Sequence, residues 1–167
     1  LGDVYKRQFF PSTRVVGRGT AATSKEPYMS NSYPSTVTVG IGALSIEEVV
    51  AVARYGAKVE ISEDALAEIA STRERVEELA QDPTPVYGIS TGFGALARRH
   101  IPEEMRAQLQ LSLVRSHAAG TGPEVEQEVI RALMLLRLST LCTGRTGVRP
   151  VVAETYAAVL NANIHPV

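Results

Sequence analysis

Residues 129–141 read VIRALMLLRLSTL, a run long enough for several turns of α-helix. Its apolar residues recur nearly all round the predicted helix, whereas a helix at a protein surface keeps one polar face. Such a helix is typical of the centre of a bundle, because neighbours must cover every side. The few other helices predicted in this chain can hardly surround it, so we expect more protein to pack against it.

Prolines and glycines place the neighbouring helices. Pro123 is expected to begin the central helix, because its ring suits a first helical turn, and Gly144 is expected to end it. Pro150 is expected to open a last helix. Another helix is predicted from about residue 103 to 117, with Pro102 in its first turn.

The residues before these helices predict a small β element. Two strands, at 36–42 and 58–61, alternate with two helices, at about 45–56 and 62–80. The first of these helices begins with the Ser-x-x-Glu pattern of a capping box. The sequence therefore predicts a mainly α fold with a small β element near its start.

Composition limits the classes of partner. The chain has 167 residues, of which 44% are apolar and 21% are charged, and its formal net charge is −1. This balance gives no reason to expect a nucleic acid or a membrane as partner, and no apolar run approaches the ~20 residues of a membrane span. The single cysteine, Cys142, stands in an apolar stretch and is predicted to be a buried, unreactive thiol, which suits the cytoplasm.

Both ends of the chain differ from its middle. Residues 1–36 are rich in Ser, Thr, Gly and Pro, lack periodicity and carry more basic than acidic side chains. They predict a disordered leader or, alternatively, a transit peptide. We favour the leader and expect residues 1–28 not to be native, because Met29 is the expected start of translation. The last residues, NANIHPV, come without a capping element or a polar tail, which predicts a truncated chain.

Residues 87–94 read YGISTGFG and predict a loop that bends easily, because glycine reaches backbone conformations closed to other residues. A phosphate-binding loop would need a Lys after its glycines and a helix directly behind it, and the dinucleotide fingerprint GxGxxG is also absent. A nucleotide-binding domain is therefore disfavoured. What remains is a flexible segment that carries the phenol of Tyr87.

Four separate motifs together resemble a known family. They are VYGISTGFGALA (86–97), LQLSLVRSHAAGTGP (109–123), ALMLLRLSTLCTGRTGVRP (132–150) and LNANIHPV (160–167). In this order and spacing they resemble the N-terminal part of the histidine ammonia-lyases, which belong to the aromatic amino acid lyase and aminomutase family. The resemblance implies that residues 37–167 form the N-terminal domain of such an enzyme, truncated at the C-terminus. The implied fold is helical, with long central helices assembled into a homotetramer.

The resemblance also implies a reaction, the non-oxidative elimination of ammonia from L-histidine to give trans-urocanate. The implied electrophile is a methylidene-imidazolone group formed by self-cyclisation of an Ala-Ser-Gly tripeptide, with no external cofactor and no metal. The 167 residues contain no Ala-Ser-Gly. These residues alone are therefore expected to be inactive.

The resemblance assigns roles to individual side chains. Tyr87 is implied to be the base that takes the β-proton of the substrate, and Ser116 and His117 are implied to bind the substrate. A polar pair at this place favours histidine, because it can form hydrogen bonds with an imidazole. A lid that closes over the substrate is expected to bend at the residues behind the base. These are Gly88, Gly92, Phe93 and Gly94.

Other interpretations stay open. A tyrosine or phenylalanine ammonia-lyase, or an aminomutase of the same family, would share most of the four motifs. A non-enzymatic helical interaction module is a further alternative, because a shortened lyase-like chain could keep its helices without its chemistry. His100 and His165 show no pattern of partners, and we predict that they are structural.

Overall fold

The computed structural model describes residues 33–166. Residues 1–32 of the predicted leader, which include residues 1–28, therefore lie outside the described residues. The expectation of a mainly α fold with a small β element is confirmed. In chain order the elements are β1 (Thr36–Val39), α1 (Ile46–Tyr55), β2 (Lys58–Ile61), α2 (Glu63–Gln81), α3 (Glu103–His117), α4 (Gln127–Cys142) and α5 (Pro150–Asn161).

The two strands pair in parallel, with Val37 opposite Val59, and α1 makes the crossover between them. Because the other edge of β2 would be open, its backbone needs a further partner. Asn161 at the end of α5 provides it: the side-chain Oδ1 accepts the Val59 N–H at 2.8 Å, and Nδ2 donates to the Val59 carbonyl at 2.8 Å. One side-chain amide thus takes the place of a third strand.

Local signals placed the ends of the first helix correctly. Ser45 Oγ accepts the Glu48 N–H at 3.2 Å, and the Glu48 carboxylate accepts the Ser45 N–H at 2.7 Å, so the capping box is present. Gly56 ends the helix with φ +70°, which glycine adopts without steric cost. The strand before it is shorter than predicted, because β1 ends at Val39, where the pairing with β2 stops.

α4 is the central helix of the described fold. It packs against α1, α2, α5 and β1. Its buried apolar side chains form the middle of the core: Met134, Leu135, Leu138, Leu141 and Cys142. The opposite side of α4 is apolar but uncovered in the part of the chain that the structure describes, and Leu133 and Leu136 there stay about half exposed.

The predicted start of α4 was wrong. The helix begins at Gln127 rather than at Pro123, and the backbone of Glu126, which precedes it, is not helical, with φ −55° and ψ 135°. The reason is that burial, rather than a local signal, stabilises a helix of this length. Residues 123–129 are exposed, and the first buried side chain of the helix is Arg131.

Arg131 joins three helices from within the core. Its Nε donates to the Val52 carbonyl of α1 at 3.0 Å, and its Nη1 donates to the Leu160 carbonyl of α5 at 3.1 Å and to Asn163 Oδ1 at 3.0 Å. Burial lowers the pKa of Arg131 below its usual value. The guanidinium still carries charge at neutral pH, since an arginine starts far above that range.

α3 differs from the other helices because it contains no buried residue. The apolar stripe of Met105, Leu109 and Leu113 is only half covered, and Met105 is 52% exposed. Leu111 and Val114 on other sides of the helix are exposed as well. Within residues 33–166 one side of α3 is thus uncovered and the other is only partly covered.

The prediction of a buried thiol is confirmed. Cys142 is fully buried, and burial raises its pKa from 9.0 to about 11. We expect alkylation by iodoacetamide at pH 9 to be about 50-fold slower in the folded protein than in urea, because the thiolate fraction falls by that factor. The same shift makes the free energy of unfolding decrease as the pH rises from 9 to about 11. Equal alkylation rates in the two states would contradict the burial of this thiol.

Candidate active site

The segment between α2 and α3 is organised by two buried hydroxyl groups, Ser90 and Thr91. Ser90 Oγ accepts the Val86 N–H at 2.9 Å. Thr91 Oγ1 accepts the Gly88 N–H at 3.3 Å and donates to the Gly92 carbonyl at 3.1 Å. Because a buried backbone N–H needs a partner, these hydroxyls replace the hydrogen bonds that a regular element would provide.

The same segment closes on itself through backbone bonds. Thr91 and His100 form an isolated antiparallel bridge. The Gly92 N–H donates to the Arg99 carbonyl at 3.3 Å, and the Ile101 N–H donates to the Ser90 carbonyl at 2.9 Å. A single 3-10 turn, Gly94–Leu96, forms the tip between them. Residues 86–101 therefore form a compact unit.

The glycines of this unit have geometric reasons to be glycine. Gly88 has φ +73°, a conformation that side chains rarely adopt. A Cβ on Gly92 would lie 2.5 Å from Leu96 Cβ, well inside van der Waals contact. Bending of a lid at Gly88, Gly92, Phe93 and Gly94 stays a prediction, and the structure adds that all three glycines among them suit the shape seen here.

Tyr87 lies at the surface of the loop. Its ring meets the ring of Phe93 edge-on, with centroids 5.9 Å apart and an interplanar angle of 83°. Such an arrangement places the positive edge of one ring against the face of the other. Tyr87 is 64% exposed, and its hydroxyl forms no hydrogen bond with residues 33–166. The phenol is thus held by its ring, and its oxygen has no partner among the described residues.

Ser116 and His117 lie in the last turn of α3. The Leu113 carbonyl is 2.8 Å from Ser116 Oγ and 2.9 Å from His117 Nδ1, and Oγ and Nδ1 are 2.9 Å apart. Since a carbonyl can only accept, Nδ1 must carry the proton in this geometry. A neutral His117 therefore presents Nε2, with its lone pair, as an acceptor away from the helix.

These predicted site residues are not brought together by residues 33–166. No hydrogen bond or ring contact in this part of the chain joins Tyr87 to Ser116 or His117. A cavity of about 410 Å³ lies elsewhere, beside the end of α1 and the start of α4, and is lined by Arg54, Glu128 and other side chains. A joint role of Tyr87, Ser116 and His117 in one site stays a prediction.

Three residues of this region were not predicted from the sequence to have a role. Ser90 and Thr91 stand between glycines in YGISTGFG, and buried hydroxyls in such a loop could have been anticipated from its need for hydrogen-bond partners. The third is Arg106, whose partners are the Ala80 and Ile101 carbonyls at the two ends of the loop.

Two histidines were predicted to be structural. His100 lies in the backbone bridge, and His165 Nε2 is 2.9 Å from Gln127 Nε2, so each has a structural contact.

The described residues contain neither a cluster of metal ligands nor a helix that could span a membrane. In residues 33–166 no group of three or more His, Cys, Asp or Glu side chains is placed to hold a metal ion. In the same range, every helix is too short or too polar to cross a bilayer.

The arrangement of these helices is that of lyases and aminomutases acting on amino acids or related compounds. An ergothionase from Treponema denticola, an ergothioneine-degrading enzyme, matches with a TM-score of 0.75 and 33% identity over 78% of this chain and 26% of its own. A tyrosine aminomutase from Streptomyces globisporus matches with a TM-score of 0.74 and 36% identity over 78% of this chain and 25% of its own.

The chain belongs to the aromatic amino acid lyase family, whose sequence profile matches residues 44–167. The histidine ammonia-lyase of Streptomyces coelicolor is 61% identical over 132 residues, which cover 79% of this chain and 26% of that enzyme. The family resemblance found in the four motifs is confirmed. The chain spans about a quarter of the length of the curated relatives that it matches.

Proposed function

We propose that the whole protein eliminates ammonia from L-histidine to give trans-urocanate. The observation that carries this proposal is the 61% identity to a histidine ammonia-lyase. The matched ergothionase and tyrosine aminomutase, which act on other substrates, reach only 33% and 36%. We therefore propose for this protein the substrate of the more similar relative.

Elimination from histidine needs an electrophile, because the β-proton is barely acidic and ammonia is a poor leaving group. The methylidene-imidazolone group of the family, when present, supplies this electron-withdrawing function without an external cofactor. The described residues do not fit as its source, since the chain contains no Ala-Ser-Gly. The methylidene-imidazolone group is therefore proposed to form outside these 167 residues, which alone would release no ammonia.

Within this chain, Tyr87 is proposed to take the β-proton. Its hydroxyl is exposed and has no partner among residues 33–166, so it is available to a substrate. Its ring is held against Phe93, and the loop beneath it is fixed by the Ser90 and Thr91 hydroxyls. A base must lie within hydrogen-bond reach of the proton that it abstracts, and a loop that closes over the substrate would bring it there.

His117 is proposed to recognise the imidazole of the substrate. With Nδ1 bound to the Leu113 carbonyl, Nε2 can accept a hydrogen bond from an imidazole N–H. Ser116, which bonds to the same carbonyl, restrains the ring. Phenylalanine has no N–H in its side chain and would leave this acceptor unpaired. An unpaired polar group in a site discriminates against a substrate more strongly than a difference in apolar size does.

We expect His117→Leu to lower kcat/KM for histidine by about 10- to 100-fold, mainly through KM, because one polar contact with the substrate is lost. The same change should raise the relative rate with phenylalanine or tyrosine. Initial rates of ammonia release from the three amino acids by the whole protein test this. The matched control is Gln110→Leu on the same helix, which is exposed and should leave the profile unchanged. An unaltered substrate profile in His117→Leu would reject the recognition role.

The second candidate is an aminomutase, which the TM-score of 0.74 to a tyrosine aminomutase favours. An aminomutase returns the amino group to the β-carbon, whereas a lyase releases it. Analysis of the same reactions for β-amino acids therefore separates the two. A β-amino acid as main product would replace the lyase proposal.

We also propose an assembly and a location for the whole protein. The apolar sides of α3 and α4 that stay uncovered in residues 33–166 support a homotetramer in which other chains or segments cover them. The single buried thiol is compatible with the cytoplasm. Residues 37–167 are proposed to form the N-terminal domain of this enzyme.

A further inference from the structure

The loop that carries Tyr87 leaves α2 at Gln81 and enters α3 at Glu103. The hydrogen bonds of Ser90, Thr91 and the 91–100 bridge connect loop residues with one another. They fix the shape of the loop but not its direction. The direction has to be set where the two ends of the loop meet the helices.

One side chain connects these two ends. Arg106, in the first turns of α3, donates from Nη2 to the Ala80 carbonyl in the last turn of α2 at 3.1 Å. It also donates from Nε to the Ile101 carbonyl at the end of the loop at 3.2 Å. Both bonds are partly buried. A single guanidinium thus holds the start and the end of the loop together.

The chemistry of the Ala80 carbonyl explains why a cation lies there. The last four carbonyls of a helix lack a partner within the helix and form the negative end of its dipole. The last turn of α2 contains no basic residue of its own. Arg106 supplies the missing charge from another helix, and its planar fork can bind two carbonyls at a fixed separation.

We propose that Arg106 is a positioning residue that clamps residues 80 and 101 and so aims Tyr87 at the substrate. The inference rests on the function proposed above for Tyr87. Arg106 acts through the loop and has no role in substrate contact. A displacement of a reacting group by about 1 Å can lower a rate about 100-fold, so a loosened clamp affects turnover more than binding.

The test is Arg106→Gln in the whole protein, with two readouts. We expect kcat for histidine to fall by about 10- to 100-fold while KM changes less than about twofold. Hydrogen exchange of residues 86–101 should become faster, above all at the bonded amides of Gly92 and Ile101. Arg106→Lys should give intermediate values, since an ammonium keeps the charge but not the fork. If the Gln variant does not fold, the Lys variant decides by the same readouts.

The matched control is Arg75→Gln on α2. Arg75 is exposed, and among residues 33–166 its side chain bonds to Glu78 on its own helix. Its loss should alter neither kcat nor the exchange of the loop. If Arg106→Gln leaves both readouts at the wild-type values, as this control does, the positioning role is overturned.

A double variant separates this inference from the function on which it rests. In a Tyr87→Phe background, Arg106→Gln should accelerate hydrogen exchange but cause no further loss of kcat, because it acts through Tyr87. A further loss of similar size would overturn the inference. If Tyr87→Phe itself keeps full activity, the base assignment fails, and the clamp is then judged on hydrogen exchange alone.

Discussion

Replacing Tyr87 by Phe in the whole protein is expected to lower kcat for histidine by about 100- to 10,000-fold, the range that a positioned base contributes. The variant keeps the ring that meets Phe93 at 5.9 Å, so the packing of the loop is preserved. What it removes is the hydroxyl, which has no other partner among residues 33–166. Steady-state urocanate formation, followed by absorbance, measures the effect.

Tyr55→Phe provides a closely matched control. Tyr55 is 63% exposed, against 64% for Tyr87, and its ring also packs on another aromatic ring, that of Tyr33. Removing this hydroxyl should leave kcat within about twofold of the wild-type value, the change expected of a surface position. Near-normal turnover in Tyr87→Phe would show that another group takes the β-proton.

Arg131→Met is expected to lower the free energy of unfolding by about 2–5 kcal/mol, although it places an apolar side chain in an apolar core. The reason is the set of acceptors left behind. The carbonyls of Val52 and Leu160 and the amide oxygen of Asn163 would lose the guanidinium that now binds them. The Leu160 carbonyl keeps the Asn163 N–H, and Asn163 Oδ1 keeps Gln127 Nε2. The main cost is the buried Val52 carbonyl, because an acceptor buried without a partner costs about 1–3 kcal/mol, and the two weakened bonds add to it.

Urea unfolding monitored by circular dichroism compares this variant with Arg137→Met. Arg137 lies on the same helix but is exposed, and no hydrogen bond of its side chain occurs within residues 33–166. Its replacement should change stability by less than about 0.5 kcal/mol. Equal stability of the two variants would mean that water replaces the three bonds of Arg131.

Short-range signals in the sequence predicted the local limits of the fold. The capping box at Ser45 and Glu48, the glycine at 56 and the proline at 150 act on neighbours a few residues away, and all three were correct. The start of α4 was wrong because it depends on where Arg131 and the residues behind it find a core to pack against. A proline or glycine near the start of a helix cannot indicate where that core lies.

The long-range contacts had no signal in the sequence. Arg131 stands in an apolar run, and its partners Val52 and Leu160 lie 79 and 29 residues away. Arg106 likewise reaches back 26 residues to Ala80. For the site, the glycines of YGISTGFG indicated a loop, but only the resemblance assigned a role to Tyr87 and His117. That assignment concerns chemistry completed by other parts of the protein, and periodicity and composition carry no information about it.

The side-chain amide of Asn161 determines when, during synthesis, the open edge of β2 becomes covered. A strand edge with free backbone groups invites pairing with another polypeptide. The partner that closes this edge at Val59 is encoded 102 residues later. During synthesis the edge therefore stays open until nearly the whole described chain has left the ribosome. A released chain that ends before residue 161 should be more prone to aggregation than one that includes this residue.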